Sequence, residues 1–118
     1  MQYFKLSEFD SPDLPGSGAR MKPEFLKMID RARDIAGIPF VINSGFRTVA
    51  HNTAVGGTVT SSHLTGCAAD IAVRNSSQRF RIVAALIAVG FTRIGIADTF
   101  IHCDNDTTKT PGVAWLYA

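Results

Sequence analysis

A chain of 118 residues, 46% hydrophobic and 19% charged, has the composition of one globular domain with a modest core, not of a disordered polypeptide. Its formal net charge of +2 is too small to argue for nucleic acid, and no apolar run approaches the ~20 residues that a bilayer span needs. The opening "MQYFKLSEFD" lacks the basic-then-apolar order of a secretory signal, so export by that route is not expected.

In chain order, the first twenty residues carry "DSPDLPGSG", whose Pro, Gly, Asp and Ser mark a loop. "KPEFLKMIDRARDIAG" (22–37) predicts a helix. Phe25, Leu26, Met28, Ile29, Ala32 and Ile35 recur at helical spacing, Pro23 falls in the first turn and Gly37 follows the end. "PFVINSGF" (39–46) predicts a strand that stops at the Ser44-Gly45 turn. "RTVAHNTAVGGTVTSSH" (47–63), with Gly56-Gly57 and many hydroxyls, reads as a long irregular segment with room for one helical turn. "CAADIAV" (67–73) is small and apolar enough for a central strand.

"SSQRFRIVAALIAVG" (76–90) predicts the second helix. Ser76 or Ser77 would cap it, Phe80, Ile82, Val83, Leu86 and Ile87 would form its apolar face, and Gly90 would end it. "RNSSQRFR" (74–81), the densest basic stretch, reads as loop and helix start with a solvated face. "FTRIGIA" (91–97) and "FIHCDND" (100–106) predict a hairpin turning near Asp98-Thr99, and "TPGVAWLYA" (110–118) a last edge strand. No repeat or linker divides the chain, so a single domain over residues 1–118 is expected. Its class is α+β: two main helices against a small, mostly antiparallel sheet.

The residues that carry chemistry lie in "SSHLTGCAADIAV" (61–73) and "FIHCD" (100–104). Zinc takes nitrogen or oxygen ligands near 2.0–2.2 Å, and catalytic sites commonly use three protein ligands plus water. His63, Asp70 and His102 supply that number from a loop and two strands. Strand periodicity puts Phe100, His102 and Asp104 on one face, with Asp98 too if the strand is regular. Those carboxylates could orient the imidazole or accept a proton from a metal-activated water. Spacing alone leaves open ordinary hydrogen-bonded histidines, and His51 is given that reading. Cys67 and Cys103 each neighbour one of these residues, but neither belongs to a CxxC pair, and alternation turns Cys103 away from His102's face. Free, buried thiols are expected.

The string "INSGFRT…HN…VGG…SSHLTGCAADIAV…IGIADTFIHCD" resembles the zinc D-alanyl-D-alanine carboxypeptidase family from about residue 2 to the end. That family includes vancomycin-resistance dipeptidases, phage endopeptidases cutting L-Ala-D-Glu bonds and, by shared fold, the hedgehog signalling domain. The similarity is nearest to short phage- or prophage-type members. The family signature SxHxxGxAxD reads Ser61, His63, Gly66, Ala68 and Asp70. The resemblance implies that His63, Asp70 and His102 bind Zn2+, and that Arg47 binds and polarises a substrate carbonyl or carboxylate. Ser61 matches a polar position beside the first ligand: a substrate contact, or a loop hydroxyl bonded to backbone.

One position departs from the pattern. Well-known members place a Glu or Asp base three residues before the last zinc histidine, where this chain has Thr99. Asp98 and Asp104 are the alternatives. Asp104 is favoured for a site role as base or orienter, and Asp98 could equally be an exposed turn residue.

The implied activity is hydrolysis of peptidoglycan stem peptides at D-Ala-D-Ala, L-Ala-D-Glu or a cross-link. A non-catalytic zinc module that binds wall peptides is the alternative. A monomer without nucleic-acid or membrane partners is expected, cytoplasmic until release or associated with a phage particle.

Overall fold

In the computed structural model, which describes residues 1–117, two amphipathic helices and one five-stranded sheet share a single apolar core. Helix α1 runs Pro23–Ala36 and buries Phe25, Leu26, Ile29, Ala32 and Ala36, one stripe at helical spacing. Helix α3 runs Ser76–Ala88 and buries Ile82, Ala85 and Leu86. It packs against α1. Between them in sequence, the stretch read as irregular holds a six-residue helix α2, Val49–Ala54, started by Thr48, whose hydroxyl accepts from His51 N.

Four expectations need correction. Asn75, not Ser76 or Ser77, caps α3: its side-chain oxygen accepts from Gln78 N at 2.8 Å. Phe80 and Ile87, placed on the apolar face of α3, are exposed because the core takes only the narrow stripe of Ile82, Ala85 and Leu86. Ile35, at the end of α1, is exposed as well. The N-terminal loop holds two short 3-10 turns, Leu6–Phe9 and Ser17–Arg20, and drives Phe9 fully into the core.

The strands are β1 Ile42–Ser44, β2 Ala68–Ala72, β3 Arg93–Ile96, β4 Phe100–Asp104 and β5 Val113–Leu116, in the spatial order β1-β2-β4-β3-β5. All ladders are antiparallel except β3 with β5, so the expected edge strand is present and makes the sheet mixed. Side-chain alternation then sorts the two faces. Ala69, Ile71, Ile101 and Cys103 join the core, while Asp70, Phe100, His102 and Asp104 line a cavity on the other side.

Register aligns one row across all five strands: Ser44 pairs Asp70, Asp70 pairs His102, His102 pairs Gly95, and Gly95 pairs Trp115. This row is the floor of the site. Among the described residues, no helix is long and apolar enough to cross a membrane.

Candidate metal centre

Asp70 and His102 reach the cavity from adjacent strands, as directly paired residues of the β2–β4 ladder. His63 comes from outside the sheet, on the 3-10 turn Ser62–Thr65. Ser61 caps that turn by accepting from His63 N, and Gly66 closes it at φ +73. A Cβ on Gly66 would stand 2.4 Å from Arg20 O, so the turn can press this closely on the N-terminal segment only with glycine there. His63 is thereby lowered onto the floor, its ring edge-to-face with that of His102 at 5.3 Å between centroids.

Hydrogen bonds fix which nitrogen of each imidazole is free. His63 Nδ1 lies 2.8 Å from the carbonyl of Gly45; a carbonyl only accepts, so Nδ1 donates and Nε2 is the nitrogen left facing Asp70. His102 Nε2 lies 2.7 Å from Asp104 Oδ2, which leaves Nδ1 towards Asp70. Nε2 of His63 and Nδ1 of His102 stand 3.4 and 3.0 Å from Asp70 Oδ1. Two donors held at 2.0–2.1 Å by a tetrahedral ion are about 3.3 Å apart, so these separations suit zinc. The donor set is right as well: two imidazole nitrogens and one carboxylate, all within 4.8 Å of one another. His63, Asp70 and His102 form a group that could hold a metal ion.

Electrostatics follows from the same contacts. Burial disfavours the Asp70 carboxylate, but the imidazoles of His102 and His63 beside it outweigh that and hold its pKa far below the usual carboxylate range. Burial likewise depresses His102, yet its bonds to Asp104 and Asp70 prevail and its pKa is raised.

Asp104 is 1% exposed. Oδ2 faces His102, while Oδ1 accepts from Arg93 Nε at 2.8 Å and Asp106 N at 3.2 Å. Both oxygens are committed, an arrangement that orients an imidazole and leaves little capacity to take a proton from solvent. Asp98 lies exposed in the turn between β3 and β4, outside the cavity, and its backbone carbonyl accepts from Arg79. The hairpin turns at Asp98-Thr99 as expected, and because β4 begins at Phe100, Asp98 does not share the strand face of His102.

Arg47 lies at the β1 end of the row. Its Nε donates to Ser44 Oγ (2.9 Å), Nη1 to Asn52 Oδ1 (3.2 Å), and Nη2 stands 3.4 Å from Asp70 Oδ2. The guanidinium is thus aimed at the donor group and only weakly neutralised by it. Ser61 lines the cavity and also caps the His63 turn. The cavity has a volume of about 360 Å3. His51 is half-buried on α2 and takes no part.

Arg93, Lys109, Trp115 and Tyr117 also line the cavity, and Asn52 holds Arg47 from behind; none of the five stands out in the sequence. Alternation in "VAWLY" could have put Trp115 and Tyr117 on one face. Nothing local in the sequence marks Arg93 as the partner of Asp104. Both cysteines are free and buried; Cys103 lies in the core behind His102, and burial lifts its thiol pKa well above the usual value.

The mixed sheet supplies one imidazole and one carboxylate, and the 3-10 turn above it the second imidazole, to one cavity beside a guanidinium. The peptidase M15 family model matches residues 2–104, and the chain belongs to that family, the zinc D-alanyl-D-alanine carboxypeptidase-like peptidases. No curated protein matches the chain.

Proposed function

We propose that this protein is a zinc-dependent hydrolase of bacterial cell-wall stem peptides. The observation that carries the reading is the convergence of His63 Nε2, Asp70 Oδ1 and His102 Nδ1, with each imidazole held through its other nitrogen by a separate partner. Membership of a family of zinc peptidases supports it.

His63, Asp70 and His102 would hold the zinc, whose chemistry there would be activation of a water and polarisation of the scissile carbonyl. The chain's own residues do the rest. Asp104 holds the His102 ring in line, and Gly45 does the same for His63. Arg47, fixed by Ser44 and Asn52, binds the substrate's carboxylate or carbonyl oxygen and steadies negative charge developing there. Peptide ends and D-residues of wall stems carry such carboxylates. The resemblance to short phage-type members fits action on the wall at lysis or from a virion.

One observation favours a second reading, a zinc module that binds wall peptides with little or no turnover. The carboxylates lining the cavity are Asp70 and Asp104, and both are already engaged. Purified wall incubated with zinc-loaded protein, with and without chelator, separates the two. Hydrolysis predicts new amino ends that vanish with chelator, and mass analysis of the released peptides identifies the bond cut. Zinc-dependent wall binding without release would instead support the binding module.

A further inference from the structure

The row Ser44–Asp70–His102–Gly95–Trp115 contains one position without a side chain, between the metal-facing histidine and the sole tryptophan of the chain. A Cβ on Gly95 would stand 2.6 Å from Trp115 Nε1 and 2.6 Å from Tyr117 Cε2. The indole therefore lies across β3 in the space that Gly95 leaves, and it reaches the His102 ring at 5.5 Å between centroids, tilted by 48°. Arg93 steadies it, with the guanidinium carbon 5.1 Å from the indole centre. That guanidinium is itself tied to Asp104 Oδ1 and to Thr110 O, at 2.8 and 2.6 Å.

We propose that Trp115 is a positioning residue of the metal centre, holding the tilt of the His102 ring through the gap at Gly95. The division of labour is physical. Hydrogen bonds at Nδ1 and Nε2 act in the plane of the imidazole and set where its nitrogens point. They resist rocking out of that plane poorly. Packing against ring faces resists it, and His102 has two aromatic neighbours for this, His63 and Trp115. The indole also keeps water from that flank of the ligand, which raises the strength of the remaining polar contacts. Trp115 lies beyond residues 2–104, so this support comes from chain outside the family match.

The inference rests on the zinc reading and is tested apart from activity. Chelator-stripped protein is titrated with Co2+ while the Trp115 emission and the visible cobalt bands are followed. Wild-type protein should bind one Co2+ and lose most of its emission, because the fluorophore neighbours a ligand. Trp115→Ala should bind Co2+ about tenfold more weakly, the lower end of what loss of a ligand's supporting contact costs, with altered cobalt bands. Trp115→Phe should restore affinity to within about threefold. Should Trp115→Ala not fold, Trp115→Leu is compared with Trp115→Phe in the same way. Equal affinity and identical bands in the folded Ala or Leu variant overturn the positioning role and leave the zinc reading standing. Failure of wild-type protein to bind Co2+ or Zn2+ overturns both.

Discussion

The carboxylate of Asp104 stands 2.7 Å from Nε2 of His102, two residues back along the same strand, and is itself gripped by Arg93. The pair is built into β4 by alternation alone, so the imidazole and its orienting carboxylate cannot be separated by loop motion. Asp104→Asn should weaken Zn2+ binding by about 10–100-fold, the usual effect of losing a carboxylate behind a ligating histidine. Asp98→Asn should change neither zinc affinity nor turnover by more than about twofold. Competition with a chromogenic chelator measures the first and peptide release the second. A large loss of turnover in Asp98→Asn with zinc retained would restore Asp98 as the base.

Arg47 is expected to act on substrate and not on the metal. Arg47→Lys keeps the charge but loses the planar fork that Ser44 and Asn52 hold. Wall-peptide turnover should fall by at least about tenfold, in line with a charged hydrogen bond worth about 1.5–3 kcal/mol. Zinc content, measured on the same preparation, should stay at the wild-type level. A variant that loses zinc in proportion to activity would place Arg47 in the metal site instead.

The pH response should change sign with zinc. In chelator-stripped protein, the His102 pKa is raised above its ordinary value of 6.5, so its contribution is full below about pH 6.5 and disappears as pH climbs through the folded value. The Asp70 pKa is depressed below 3.8, so its contribution is present above that pH and is lost on further acidification. Stripped protein should therefore be most stable between about pH 4 and 6.5. Zinc-loaded protein should gain stability from about pH 5.5 to 7.5, since protons no longer compete for His102. Melting temperatures of both forms across pH 4–9 check this; parallel curves would contradict the assignment of His102 as a ligand.

The N-terminus of α3 offers a test of local structure. Asn75→Ala removes the oxygen that accepts from Gln78 N and should cost about 1 kcal/mol in denaturant unfolding. Ser77→Ala should cost little, as Ser77 is exposed and is not the cap. Equal losses would return the cap to the serines.

What could be read from the sequence was what repeats at short range. Helical spacing located α1 and α3, alternation separated His102 from Cys103, and the SxHxxGxAxD pattern marked His63 and Asp70. What could not be read depends on pairing between distant segments. Arg93 meets Asp104 only through the register of β3 on β4, and Trp115 reaches His102 only because β5 adds in parallel beyond β3. At the cap, Asn75 and the serines after it are all good N-cap residues, so composition could not rank them. Helix α2 was legible only as room for one helical turn, because the glycines and hydroxyl residues that follow it suggest irregular chain.

Alternation along β4 has a consequence for thiol chemistry. Cys103 lies back-to-back with His102, wholly enclosed by the core and reluctant to ionise. Alkylating reagents attack thiolates, so this sulfur can react only while the innermost strands are parted. Its labelling rate therefore counts openings of the sheet that carries the site.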